Sequence, residues 1–409
     1  MARRSADLFD ASEIHFAFDE LFFSRTDAAG LIQFGNSVFQ RVSIYDWDEL
    51  LGKPHKIVRH PDTPRAAFWV LWNTIKDGRP FGAYVKNRAK DGRYYWVFAI
   101  VTPVDGGYLS VRLRPSSDML AVIKREYPAL AALERRDGLA PADSAPLLLD
   151  RLNALGFLDY PTFMAAALGQ ELAALDAQLG RSRDQTIAHF QDLHETAKTL
   201  LQRAGVIAEA YATNENVPFN FRVLASQLGQ EGAAIGVIST NYTLLSVEIR
   251  SILADFIASA RDVFRTINEG YFLACTARVQ REVLNLFRSE GVAFSGQARE
   301  QEELLLNRQQ AEYSAKAEAG LREIARKAKG FRQACLDMER LAAALEVTRV
   351  MGKVECSRHV GVKDRLDELL VRLEHFQGTV AAALKDIDRI NGHIESEAGH
   401  LLAQAKRAA

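Results

Sequence analysis

Cysteine is scarce: Cys275, Cys335 and Cys356 are the three in 409 residues, none in a Cys-x-x-Cys pair. Thiols that few and far apart exclude a disulfide framework and fit a reducing compartment. Excess charge of one sign is missing too. With 51 Lys+Arg against 52 Asp+Glu the net charge is −1, so no global positive field collects phosphates and no nucleic-acid partner is expected. No segment approaches the roughly 20 apolar residues of a spanning helix; the best run, residues 97–104, is far too short. Arg3, Arg4, Asp7, Asp10 and Glu13 break up any signal-type apolar region near the start, and the expected location is cytoplasmic. Also lacking are a glycine-rich nucleotide loop and metalloprotease, transmitter-kinase and cyclase signatures, so no enzyme is expected.

What is present divides in two. The length exceeds the roughly 250 to 300 residues at which single cores stop growing, while 48% hydrophobic and 25% charged residues mark a globular chain. Trp47, Trp69, Trp72 and Trp96 and most of the 11 prolines precede residue 150, and Ala, Leu, Glu, Gln and Arg dominate the remainder.

In the first part, residues 21–26 and 31–34 flank Asp27-Ala28-Ala29-Gly30, a predicted hairpin turn. Asn36 is placed to cap a helix through Val42. Pro64 sits at the first turn of another, in which Phe68, Leu71, Trp72 and Ile75 run toward a stop at Gly78. Runs 81–88, 94–103 and 108–113, separated by Lys90-Asp91-Gly92 and Asp105-Gly106-Gly107, read as strands joined by hairpins. The order predicts an α+β fold, a five-stranded antiparallel sheet with helices on one face.

The polar run Pro54-His55-Lys56-Ile57-Val58-Arg59-His60-Pro61-Asp62-Thr63-Pro64 is unusual for a connector. Arg59 offers a planar donor fork, and Asp62 either accepts from a ligand or caps the following helix. The residue types leave both readings, local capping and ligand site, open.

Residues 20–115 resemble the PAS sensor domain of aerotaxis receptors. The resemblance is carried by Phe22-Phe23-Ser24-Arg25-Thr26-Asp27, Gly52-Lys53-Pro54-His55, Val58-Arg59-His60-Pro61-Asp62, Val85-Lys86-Asn87-Arg88 and Tyr94-Tyr95-Trp96-Val97. It implies a cavity holding FAD, whose redox state reports on oxygen or electron transport. Matched residue by residue, Arg59, His60 and Asp62 fall on the flavin-critical run, Asn36 on the Asn opening the first helix and Asn87 on the strand Asn. Phe81 stands where related flavin domains carry Trp; it keeps a stacking face and lacks the N–H donor. Trp72, in phase with Phe68 and Ile75, is the tryptophan predicted to face inward. Cysteine-adduct photochemistry is excluded, since the first cysteine is Cys275. Haem, with His60 or His55 as axial ligand, is an alternative cofactor.

From Phe163 onward, Leu172, Leu175, Leu179, Ile187, Phe190, Leu193 and Ala197 recur at helical spacing. Residues 220–238 resemble a degenerate hairpin tip of methyl-accepting chemotaxis proteins, with Leu224, Gln227 and Ala233-Ala234 where the family carries Glu, Arg and Arg-Gly. The resemblance implies a histidine kinase and its coupling protein as partners, or a bundle that has kept the shape and changed its partner. Residues 345–358 echo the apolar spacing of 219–228, so breaks near 231, 292 and 359 predict four helices of about 50 to 70 residues, with one chain supplying both hairpins. Chance similarity between two Ala/Leu-rich helices is the other explanation. Gln301-Glu302-Glu303 reads as a solvated face or as methyl-acceptor sites, and Cys356 with His359 as a bare pair without further metal ligands.

The expected organisation is an N-terminal cap (1–19), a PAS domain (20–115), a linker with short helices (116–160) and an elongated antiparallel four-helix bundle (161–409). The expected function is a cytoplasmic redox or oxygen sensor with a chemoreceptor-like helical output, associated with a polar or chemoreceptor cluster, as a monomer or a homodimer. The competing readings are a non-sensing scaffold with an empty PAS domain and a haem-based oxygen sensor.

Overall fold

The structure, a computed structural model, describes residues 13–289, 297–356, 358 and 363–408. Strand β1 (Phe22–Asp27) turns into β2 (Ile32–Gly35) through Gly30, whose φ of 81° is one that glycine adopts without strain. Asp27 Oδ1 accepts from the Ala29 and Leu31 amides and closes that turn. Helices α1 (Ser37–Ser43) and α2 (Trp47–Leu50), a 3₁₀ turn (His55–Val58) and α3 (Arg65–Lys76) follow. Strands β3 (Phe81–Arg88), β4 (Tyr94–Val104) and β5 (Gly107–Leu113) complete an antiparallel sheet of order β2-β1-β5-β4-β3. The predicted strands lie within a residue of these, because each is bounded by a glycine turn.

By their contacts the described residues form two compact units, the first made of residues 1–191 and 268–318, the second of 192–267 and 319–409. In the first, one sheet face packs on α1, α2 and the 3₁₀ turn through Phe22, Phe39, Leu50, Val58, Tyr95 and Val97. The described end of the predicted cap adds Phe16, edge-on to Phe22 at 5.3 Å. The other face is covered as well. Phe287 meets Phe23 at 6.0 Å, Gln280 donates to Thr102 at 3.3 Å, and a side chain at Gly82 would meet Phe272 at 2.8 Å. Arg25 Nε donates to Glu302 Oε1 at 2.7 Å, so Glu302, 5% exposed, belongs to no solvated face.

The segment expected as a linker with short helices holds α4 (Asp118–Arg136) and α5 (Pro141–Ala154), inside the first unit. The expected long first bundle helix is corrected: it is broken into α6 (Tyr160–Gln178), α7 (Gln185–Asn214) and α8 (Val217–Gln227). Gly180, φ 61°, ends α6, and Pro218 opens α8. Then come a 3₁₀ turn (Gly229–Gly232), α9 (Ala233–Ser289), α10 (Gln297–Cys356) and α11 (Lys363–Ala408). The expected break near 231 falls on that turn, whereas those near 292 and 359, and His359 itself, lie outside the described residues.

In the second unit the neighbours close a ring of four antiparallel helices. The pairs are His194 with Phe264 (α7 and α9), Phe256 with Phe331 (α9 and α10), Arg332 with Glu395 (α10 and α11) and Tyr211 with Phe376 (α11 and α7). One chain thus supplies both hairpins.

A buried carboxylate joins sheet and helices in the first unit. Glu171 on α6, fully buried, accepts from Tyr84 Oη (2.6 Å), Ser117 Oγ (2.6 Å) and the Ser116 and Ser117 amides (2.7 and 3.0 Å). Removing it strands those donors, and each unsatisfied one costs roughly 1 to 3 kcal/mol. Glu171→Ala is therefore expected to destabilise the first unit by about 3 kcal/mol or more. Tryptophan fluorescence during denaturation checks this, since all four tryptophans lie in that unit.

Candidate functional site

Strand β3 is an edge strand, and the segment before α3 is laid along it. His60 N donates to Lys86 O (3.2 Å), Thr63 Oγ1 donates to Lys86 O and accepts from Lys86 N (both 3.0 Å), and Arg59 bridges Asn87. These bonds satisfy exposed strand groups and fix the loop. Lys86 Nζ reaches Asp62 Oδ2 at 2.8 Å and lies 4.2 Å from the Tyr94 ring centroid. Burial pushes the Asp62 carboxyl up, but Lys86, His60 and Arg135 together hold it below its ordinary value.

His60 Nδ1 accepts from the Asp62 amide at 3.1 Å. Burial, and then the Lys86 charge, bring His60 down to about 4, so it is neutral at pH 7. The sequence left Asp62 as helix cap or ligand group; in the structure it pairs with Lys86 and accepts nothing from α3.

The Arg59 guanidinium lies 3.8 Å from the Phe68 ring centroid and, among the described residues, makes no hydrogen bond or ion pair. Burial lowers its proton affinity, with Glu134 opposing. It borders a groove of about 640 Å³ with Phe68, Trp69 and Trp72, within the range of small-molecule sites. Trp72 is the less exposed tryptophan, edge-on to Tyr108 at 5.6 Å and against Gly30; Trp69 is 40% exposed.

Asn87 faces the core beside its cross-strand partner Tyr95. Among the described residues, neither Asn87 Nδ2 nor Tyr95 Oη has a hydrogen-bond partner, although both are buried. Natural structures rarely leave such groups unmade. On the same face Arg112, 3% exposed, has no carboxylate partner among the described residues; it donates to Ser24 Oγ (3.1 Å) and His55 Nε2, and it lies over Phe22 and Phe39. Burial brings Arg112 down to about 10, still protonated at neutral pH. His55 is held well below its ordinary value by burial and by Arg112, so it is neutral, with Nε2 turned toward that guanidinium rather than free for an axial bond.

The remaining predicted site residues have protein partners. Asn36 caps α1 at Phe39 N (3.3 Å), accepts from Phe23 N (3.2 Å) and donates to Leu21 O (3.1 Å). Phe81 is fully buried and stacked on Tyr160 of α6 at 5.0 Å. The structure therefore gathers Arg59, His60, Asp62 and Asn87, adds Trp72 through the groove, and uses Asn36 and Phe81 for packing. Sequence reasoning missed Arg112, Tyr95 and Lys86. The last two stand inside motifs it had singled out; Arg112 gave no signal.

Residues 34–111 match the family described as PAS fold. The chain is 43% identical over 121 residues to the aerotaxis receptor of Escherichia coli (strain K12), covering 28% of this chain and 24% of that one. It is 32% identical over 162 residues to the nitrogen fixation regulatory protein of Klebsiella pneumoniae, 36% and 31% of the two chains. Among solved structures, the light-state LOV domain of the blue-light photoreceptor Aureochrome1 is 24% identical with a TM-score of 0.23, over 25% of this chain and 88% of that one. The chain thus carries a PAS domain, followed by a long helical region. That PAS domain is related in sequence to the corresponding part of the aerotaxis receptor, and the chain spans about a quarter of that relative.

The histidines give a pH test. The unfolded chain protonates histidine near 6.5, the folded protein protonates His60 near 4. Between those values the unfolded state binds more protons, so stability falls as pH is lowered through this window. The expected outcome is a thermal midpoint that drops from about pH 6.5 toward 4, and less steeply in His60→Asn, where the amide oxygen still accepts from Asp62 N. An unchanged slope would contradict this.

Proposed function

We propose that the PAS domain binds FAD and that the protein senses redox state or oxygen. The observation that carries this reading is the set of unmatched polar groups around one fold region: Asn87 Nδ2 and Tyr95 Oη without partners, Arg112 without a counter-charge, and the Arg59 guanidinium on the groove. A flavin has polar edges and a polyanionic tail that answer such groups, and these residues fit it. The relationship to the aerotaxis receptor supports the same reading. When bound, a flavin supplies reversible electron uptake.

The chain's own residues would do the rest. Asn87 and Tyr95 orient the ring edge by hydrogen bonds. Arg112 places a fixed positive charge in the core, which favours added electron density. Phe68 and Trp72 exclude water, and Arg59 holds negative charge. A change at Asn87 or Tyr95 is passed by β3 and β4 to the outer sheet face, where Tyr84 meets Glu171.

For the output we propose partner docking by the hairpin tip in the second unit, with chemotaxis-type signalling proteins as the first candidates. Phe219, Val223, Val237, Val347 and Val350 leave its outer faces apolar at 40 to 66% exposure, more than isolated surface residues would.

The purified protein is expected to be yellow, and Arg59→Ala and Asp62→Ala to retain less than about a tenth of the flavin, since the first removes the guanidinium on the groove and the second the carboxylate that holds Lys86 and the loop. Absorption spectra check this. Full flavin content in both variants would contradict the site, and a colourless wild type would favour a scaffold. Co-sedimentation of the same samples with the chemotaxis kinase and coupling protein tests the output.

A further inference from the structure

Phe34, Arg25, Leu109 and Thr102 stand opposite one another on β2, β1, β5 and β4, so their side chains share the outer face of the sheet. Helix α9 crosses that face. A side chain at Gly82 on β3 would meet Phe272, Gln280 Nε2 donates to Thr102 Oγ1 on β4, and Phe287 lies against Phe23 on β1 and Phe34 on β2, with ring centroids 6.0 and 6.3 Å apart. These three residues of α9 are eight and seven apart, about two turns each, so one side of the helix makes all the contacts. Helix α10 adds Glu302, which accepts from Arg25 in the same row.

The covering of α9 is apolar at its two ends and polar between them. The polar groups that α9 and α10 bury are only half used. Among the described residues Gln280 Oε1, Glu302 Oε2, Gln309 Oε1 and Tyr313 Oη have no hydrogen-bond partner, though none of the four residues is more than 5% exposed. Glu302, Gln309 and Tyr313 lie on one face of α10, at i, i+7 and i+11, with the buried Leu306 between the first two. Each unpaired atom loses water on docking and gains no bond in return. The contrast with α6 is direct: Glu171 takes four donors, whereas Glu302 takes one side chain through one oxygen.

We infer that residues 272–287 of α9 and 302–313 of α10 act as a releasable strap over the sensor sheet. Docked, the strap withholds the outer face. Released, it bares Phe23, Phe34 and Leu109 and returns the four unpaired atoms to water. Such atoms weaken a permanent core, but they suit an element that has to leave, because they lower the free energy of opening below that of unfolding. The strap touches β1, β2, β3 and β4, so a change in the sheet bears on its release. It needs no cofactor, and it stands or falls separately from the flavin reading.

Thiol labelling of the full chain tests this. Thr102→Cys places a thiol under the strap, and Val97→Cys, fully buried on the inner face, serves as the reporter of global opening. Labelling is read by mass spectrometry on the peptide that carries each substitution. The Thr102→Cys thiol is expected to react at least roughly tenfold faster than the Val97→Cys thiol. Adding Tyr313→Phe, which removes an unpaired hydroxyl and keeps the ring, is expected to slow the reaction at Thr102→Cys by about fivefold or more, and Gln309→Leu to act in the same direction. Equal rates at the two thiols would mean that the strap opens only when the domain unfolds, and would overturn the inference. So would a Tyr313→Phe variant that reacts at Thr102→Cys as fast as its parent, or faster.

Discussion

The candidate site depends on how the edge of β3 is closed. Lys86 offers an outward amide, a carbonyl and an ammonium group, and His60, Thr63 and Asp62 take all three. An edge strand left bare would invite pairing with another chain; here the chain covers it with its own connector. That solution fixes the loop, and the fixed loop leaves Arg59 on Phe68 with its donors unspent while Asn87 turns inward. Paired polar groups on the outside of the strand and an unpaired Asn87 amide on the inside, among the described residues, come from one arrangement.

Two buried carboxylates extend that arrangement into the helices. Glu134 ties α4 and α5 to the start of α3, on the side of the loop, and Glu171 ties α6 and the start of α4 to Tyr84, on the opposite face of the sheet. Each is engaged mainly by backbone amides and hydroxyls rather than by a lone cation, so each acts as a hub of hydrogen bonds more than as a salt bridge. Glu171 meets β3 directly through Tyr84, and Glu134 meets the start of α3, so the sheet and the loop are each tied to the helices that follow.

Much of the sheet was legible because its turns announce themselves: Gly30, Gly92 and Gly106 all adopt positive φ at the predicted positions. The loop at 59–63 was legible as unusual, though its residues could not say whether they served ligand or strand. Arg112 was hidden by alternation, since Ser110 and Arg112 between Leu109, Val111 and Leu113 look like the solvated face of an ordinary strand. What hides them are Phe22 and Phe39, while Phe272, Gln280 and Phe287, more than 150 residues further on, cover the other face. Likewise the segment expected as a linker with short helices holds two full helices, with Pro141 opening α5 and Pro128 lying within α4. Partners 69 residues apart, such as Arg65 and Glu134, leave no local trace.

The most direct measurement is a crystal structure of the full chain grown with FAD. The expected result is a flavin whose ring edge lies within hydrogen-bond distance of Asn87 Nδ2 or Tyr95 Oη, with Arg112 close by. A flavin bound elsewhere, or Asn87 and Tyr95 satisfied by water while Arg112 keeps its present partners, would contradict the claim that these groups await a cofactor.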